Sequence, residues 1–191
     1  AWNDAEVISA HGRSINIASE VRRNKKTFIL TDGNISTLLH TLQEYRFGCL
    51  PVYIGERLSY PEETIVSGTV DELADGEYDK LAVMLVINEK ADERILAGIA
   101  DEKFERGNVP MTKREVRAVT MSALKIQPES IVYDIGAGTG SVSIEAAMAA
   151  YRGTVYGIEV NPEAIDLLQK NAHAMAVDNI VAVTGSAPEA L

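Results

Sequence analysis

The sequence predicts an α/β fold in two parts, and three observations predict it. Short runs rich in Val, Ile, Thr and Tyr alternate with helical stretches, the chain changes character near residue 90, and a glycine turn lies between a strand and a helix in the second half. The 191 residues suffice for one large domain or two small ones. In the first part, strands are expected at 6–9, 27–30, 52–54, 64–70 and 81–87, bounded by Gly, Asp and Pro. A helix is expected over 36–46, where Leu38, Leu39, Leu42 and Tyr45 share a face. Residues 89–110 are charged and carry Gly98, Gly107 and Pro110, which places the boundary there: a first domain over 1–90, a linker over 91–98 and a second domain over 99–191.

The second part is more regular. Thr112 and Glu115 have the spacing of a capping box, and Val116, Val119, Thr120, Ala123 and Leu124 fall on one face of the helix it would open. Strand 130–135, helix 141–151, strand 154–158, helix 162–175 and strand 180–184 follow. Asn161 before Pro162 reads as an N-cap with a favoured first-turn proline. This alternation predicts a parallel sheet of right-handed βαβ units. The chain opens on Ala1 and stops after the third of these strands, so it reads as a segment of a longer polypeptide.

Composition narrows the function. The 46% hydrophobic and 24% charged residues are those of a globular protein. A net charge of −10 argues against a phosphate-gripping nucleic-acid surface, and neither half of the chain is basic. One cysteine, Cys49, cannot form an internal disulfide, and no Cys or His spacing marks a zinc site. Apolar runs such as 81–87 are too short to cross a bilayer. A cytoplasmic protein with no nucleic-acid or membrane partner and no metal is therefore expected. His40, His173, Trp2 and Cys49 read as surface or packing residues.

Asp134-Ile135-Gly136-Ala137-Gly138-Thr139-Gly140 carries the chemistry. Glycines at a strand-to-helix turn let the backbone approach a ligand, and the N–H groups opening the next helix favour anionic or electron-rich groups. The dinucleotide pattern GxGxxG would need glycine at position 141, where Ser141 stands. Glu159 ends the second strand of the unit, placed to accept hydrogen bonds from ribose hydroxyls. Asp134 is expected to hold the loop amides. A nicotinamide-dependent oxidoreductase, a plain tight turn and a non-catalytic assembly segment stay open on these residues alone. Lys113, Arg114 and Arg117 make a local basic cluster suited to a polycarboxylate, or a solvated helix start. His11-Gly12-Arg13 and Thr31-Asp32-Gly33 follow strands, where α/β sheets carry binding loops or ordinary turns.

The GxGxG spacing after Asp134 resembles motif I of S-adenosylmethionine-dependent class I methyltransferases. With Trp2-Asn3-Asp4-Ala5, Ser9 to Arg13, Leu30 to Gly33, Ile99 to Phe104, Pro110 to Arg117 and Gly185 to Leu191, the chain resembles the precorrin-6Y C5,15-methyltransferase (decarboxylating) family of cobalamin biosynthesis. The resemblance implies the C-terminal part of a tetrapyrrole methylase domain, linked to carbon-5 methylation, followed by the N-terminal half of a Rossmann-like class I methyltransferase domain, linked to carbon-15 methylation and decarboxylation. It implies S-adenosyl-L-methionine as methyl donor and a precorrin tetrapyrrole as substrate. By similarity Gly136, Ala137, Gly138, Thr139 and Gly140 line the methionine part of the donor and Glu159 holds the ribose. Ala187 borders the adenine, and Thr112 closes the site. Lys113, Arg114 and Arg117 are the candidates for anchoring substrate carboxylates, and His11 and Arg13 are further substrate-binding candidates. No catalytic triad is implied, and a homo-oligomer is expected.

Overall fold

A computed structural model describes residues 4–92 and 97–190 and divides the chain into two compact units, Ala1–Glu93 and Arg94–Leu191. Trp2, Asn3 and Leu191, named above, lie outside the described residues, as do residues 93–96 of the expected linker.

The first unit is a mixed five-stranded sheet with its core on one face. Strands β1 (Glu6–Ser9), β2 (Lys26–Leu30), β3 (Pro51–Glu56), β4 (Thr64–Thr69) and β5 (Ala82–Ile87) are ordered β1-β2-β5-β3-β4. Among the described residues of this sheet only β1 and β2 are parallel; β5 inserts between β2 and β3 and pairs antiparallel with both. Alternation decides what each strand buries. Thr27 and Ile29, Val52 and Ile54, and Ala82, Met84 and Val86 point inward, towards Ile17 and Val21 of helix α1 (Ile17–Arg23) and Ile35, Leu38, Leu39 and Leu42 of helix α2 (Ile35–Glu44).

Two short helices of this unit differ from the expectation. Helix α1 was not expected, since seven residues give too short a period to stand out from a loop. The strand expected over 64–70 stops at Thr69, which caps helix α3 (Val70–Leu73). The Thr69 hydroxyl accepts from Glu72 N–H and the Glu72 carboxylate from Thr69 N–H, a complete capping box.

The second unit is a three-stranded parallel sheet in the order β6-β7-β8: β6 (Ile131–Ile135), β7 (Thr154–Glu159) and β8 (Ile180–Thr184). Helices α5 (Ser141–Ala149) and α6 (Pro162–Ala174) are the crossovers, and they contact the sheet with Ile144, Ala147, Ala164 and Leu168 buried. Asn179, just before β8, donates to the carbonyls of Ala147 (3.1 Å) and Ala150 (2.8 Å), closing the end of α5 without a glycine. The register puts Ile131, Tyr133 and Ile135 of β6 on the other face, beside Tyr156 and Ile158 of β7. That face is open along β6, with Tyr133 55% exposed, while Ile158 of β7 is buried; Tyr133 stacks on Tyr156 at 5.1 Å between ring centroids.

Helix α4 (Arg114–Leu124) corrects two expectations. It starts at Arg114 with Lys113 as N-cap and no side-chain cap, so Thr112 and Glu115 form no capping box. The reason is a competitor: Asp101 accepts from Arg114 N–H at 3.1 Å and serves the helix start from outside. The expected apolar face also turns outward, with Val119 70% exposed, and the one fully buried side chain of α4 is Arg117. Among the described residues no helix is long and apolar enough to cross a membrane, and no group of His, Cys, Asp and Glu could hold a metal ion.

Candidate functional site

The parallel register brings three chain segments to one edge of the second sheet. Ile135 pairs with Ile158 and Glu159 with Thr184, so Gly136–Gly140, Glu159 and the segment after Thr184 leave the sheet side by side. In such sheets ligands bind beyond the carboxyl ends of the strands.

The turn from β6 to α5 needs its glycines. Gly136, Gly138 and Gly140 have φ of 79°, 54° and 76°, a region that side chains with a Cβ rarely adopt. Two of them also allow close approach. A Cβ at Gly138 would lie 3.2 Å from the Pro110 carbonyl oxygen, and one at Gly140 would lie 2.7 Å from Leu168. Gly136 faces open space, with nothing within 4 Å of a Cβ placed there. Ala137 and Thr139 are buried, so their side chains turn inward and they offer a ligand only backbone groups. The Thr139 hydroxyl is buried and finds no hydrogen-bond partner among the described residues.

Glu159 holds the turn rather than waiting beside it. Its Oε2 accepts from Gly138 N–H at 3.0 Å, and its Oε1 accepts from Val160 N–H at 2.8 Å and Asn161 N–H at 3.0 Å. Burial opposes its ionisation, but the N–H groups of Asn161, Gly138 and Val160 together outweigh it and hold the carboxyl below the ordinary glutamate value. With about four acceptor directions on a carboxylate, three of them used, room remains for a ligand hydroxyl. The carbonyl of Ile158 accepts the N–H groups of Gly136 and Ala137.

Asp134 does not hold the loop amides as expected. Its Oδ2 accepts from the Ser143 hydroxyl at 2.6 Å, tying β6 to α5 beneath the turn. Burial pushes its carboxyl above the ordinary aspartate value, against the Ser143 hydrogen bonds, and the nearby Glu159 adds to the rise.

A strap from Gly98 to Lys113 runs past the turn, and Thr112 lies on it, exposed. The strap is fixed by buried polar groups. Glu145 on α5 accepts from Gly98 N–H and Ile99 N–H, each at 2.9 Å, and from Arg117 Nε at 2.9 Å. Arg117 also donates to Asp101 at 3.0 Å and to the carbonyls of Thr112 and Ile99, and its guanidinium lies over the Phe104 ring at 4.8 Å. Both Arg117 and Glu145 side chains are 0% exposed. Arg117 therefore cannot anchor a substrate carboxylate, because its donors are spent inside the protein. The signal that it is internal lies in partners 16 and 28 residues away, which spacing does not reveal.

The other basic candidates are at the surface. Lys113 is 3.6 Å from Asp101 with 58% of its side chain exposed, and Arg114 is exposed beside it. His11 and Arg13 belong to the first unit and are exposed; the β1–β2 pairing places their loop against Thr31-Asp32, where Gly12 N–H donates to Asp32 at 2.8 Å. His11 lines a pocket there with Leu30, Arg57, Leu58, Tyr60 and Lys80. Ala187, partly buried, follows β8, where Gly185 N–H donates to the carbonyl of Glu159 at 3.0 Å.

One site residue gave no sequence expectation. Asn171 on α6, 1% exposed, donates to the carbonyls of Thr139 (3.0 Å) and Glu105 (2.8 Å) and accepts from Glu105 N–H (2.8 Å). Its signal was a polar residue on the face formed by Ala164, Leu167 and Leu168.

A glycine turn between parallel strands, closed by an acid at the end of the next strand, gives this unit a Rossmann-like arrangement. Residues 102–191 match the family model described as a precorrin methyltransferase domain. The chain is 47% identical over 97 residues to a probable cobalt-precorrin-6B C(15)-methyltransferase (decarboxylating) of Pyrobaculum calidifontis, covering 49% of the chain and 50% of that protein. It is 51% identical over 89 residues to the cobalt-precorrin-6B C(15)-methyltransferase (decarboxylating) of Salmonella typhimurium, covering 46% of each. A crystal structure of precorrin-6y C5,15-methyltransferase from Geobacter metallireducens aligns with 38% identity over 50% of each chain at a TM-score of 0.47. The likeness to precorrin methyltransferases that the motifs implied is thus found, and the chain spans about half the length of the curated relatives it matches.

Proposed function

We propose that the second unit is the donor-binding half of an S-adenosylmethionine-dependent C-methyltransferase that acts, with decarboxylation, on a precorrin tetrapyrrole in cobalamin biosynthesis. The observation that carries the reading is the match of residues 102–191 to the precorrin methyltransferase domain, over the same residues that build the turn and Glu159. When bound, the donor supplies a methyl group on a sulfonium, a strong leaving group.

The residues present fit that group. Gly136 leaves an open approach to the backbone, and Gly138 and Gly140 keep the turn tight, at the N-terminus of α5, an end that favours an electron-rich ligand. The Glu159 carboxylate, ionised and already oriented by three N–H groups, keeps one acceptor direction for a ribose hydroxyl. Ala137 and Thr139 contribute backbone, Ala187 borders the adenine, and Thr112 on the strap covers the site. The acceptor carbon belongs to an electron-rich macrocycle, so holding it in line with the methyl group supplies the main acceleration. No triad is needed. Lys113 and Arg114 are the proposed anchors for substrate carboxylates in the second unit, and Arg117 is not among them; His11 and Arg13 are, separately, proposed substrate-binding residues of the first unit.

The first unit, over 1–90, is proposed as the later part of a tetrapyrrole methylase domain joined through 91–98 to a carbon-15 domain from residue 99. A cytoplasmic homo-oligomer without nucleic-acid or membrane partners completes the reading, and sedimentation as a monomer would remove the oligomer from it.

Calorimetric titration with S-adenosylmethionine and, separately, NADH tests the donor. The proposal expects binding of the first alone, lost in Gly138→Val, whose side chain meets the Pro110 carbonyl at a φ that disfavours it. Binding of NADH instead would overturn it.

A further inference from the structure

We propose that Asn171 is a positioning residue for donor binding, locking the Gly98–Lys113 strap to the glycine turn so that Thr112 and the turn backbone meet the ligand as one preformed surface. This rests on the donor reading of the same site.

The geometry is specific. The Asn171 amide pairs with Glu105 as one backbone pairs with another: its Oδ1 accepts Glu105 N–H and its Nδ2 donates to Glu105 C=O, both at 2.8 Å. The second Nδ2 proton goes to the Thr139 carbonyl at 3.0 Å. Turning the amide over would set its NH2 against Glu105 N–H and its oxygen against two carbonyls, so only one orientation satisfies the site. Both Nδ2 protons are used, in a place 1% exposed where water cannot substitute.

What Asn171 joins explains its role. Thr139 lies between Gly138 and Gly140, the positions with left-handed φ, so fixing its carbonyl limits rotation of the peptide groups on either side. Glu105 lies on the strap between Phe104 and Val109, which are buried in separate clusters, while the Pro110 carbonyl lies 3.2 Å from where a Cβ on Gly138 would stand. Arg117 and Glu145 fix the ends of the strap near Ile99 and Thr112, but neither touches the turn. Asn171 alone among these groups bonds to strap and turn together.

The test compares Asn171→Ala with Val177→Ala, a buried residue of the same unit in the cluster of Ile144 and Val155, whose side chain has no polar atom to bond strap or turn. Both are expected to lower the melting temperature. Only Asn171→Ala is expected to weaken S-adenosylmethionine by about tenfold or more in calorimetric titration. It is also expected to speed amide exchange of Gly140, whose N–H closes the turn on Ala137. Affinity within about twofold of the parent in Asn171→Ala, or equal loss in both variants, would overturn the role. If the parent chain bound no donor, the donor reading would fail, and exchange would then decide Asn171. Faster Gly140 exchange in Asn171→Ala alone would support the coupling of strap and turn, and unchanged exchange would remove it.

Discussion

Arg117 and Glu145 form an ion pair from which water is excluded on both sides, with Nε 2.9 Å from Oε1. Such a pair stabilises little compared with an apolar replacement, but removing one partner leaves a charge buried alone. Arg117→Met should therefore destabilise the second unit by about 3–5 kcal/mol. Urea unfolding followed by a probe in this unit checks it, and a midpoint equal to the parent's would contradict the burial described.

Glu159 sets an acid limit. Its folded carboxyl titrates below the unfolded value of 4.5, so its stabilisation is fully present above that pH and is lost as pH falls towards the folded value. Glu159→Gln should flatten this part of the acid unfolding curve. The same variant should weaken S-adenosylmethionine by about tenfold or more, the loss of a hydrogen bond to a charged group. Unfolding from pH 6 down to pH 3, with calorimetry at neutral pH, tests both statements.

Asp134 works in the opposite sense. Burial raises its folded value above 3.8, so the folded chain holds the proton longer and this group costs stability as pH rises from about 4 through the raised value. Asp134→Asn removes that cost while keeping an oxygen that accepts from Ser143. The variant should gain stability relative to the parent between mildly acid and neutral pH, and a parallel pair of stability-against-pH curves would refute the assignment.

Thr69→Ala tests the first unit separately. Loss of its hydroxyl from the N-cap of α3 should cost about 1 kcal/mol. The thermal transition of the second unit should stay where it was, since the residue belongs to the other compact unit.

Local signals made much of this molecule legible in the sequence. The β6-turn-α5-β7-α6-β8 run was readable because glycines, an Asn-Pro start and apolar periods mark each boundary within a few residues. What escaped depends on distant partners. Nothing near β5 announces that it inserts between β2 and β3, since strand order is settled by pairings more than 25 residues apart. Arg117 carried the signature of a surface cation because Asp101 and Glu145, which neutralise it, come from a loop and another helix. Glu159 was identified as an acid at the right strand end, but its grip on Gly138 N–H follows from the parallel register. Asn171 was hidden for the same reason, its partners Glu105 and Thr139 lying 66 and 32 residues away.

The stacked tyrosines on the open face of the second sheet give that sheet its own optical marker. Tyr133 and Tyr156 lie on adjacent strands with rings 12° from parallel and centroids 5.1 Å apart, close enough for their transitions to couple, so the pair contributes to the near-ultraviolet circular dichroism only while it is stacked. Loss of that signal would follow separation of β6 from β7, the two strands that carry the glycine turn and Glu159, and would time the opening of the site without any added dye.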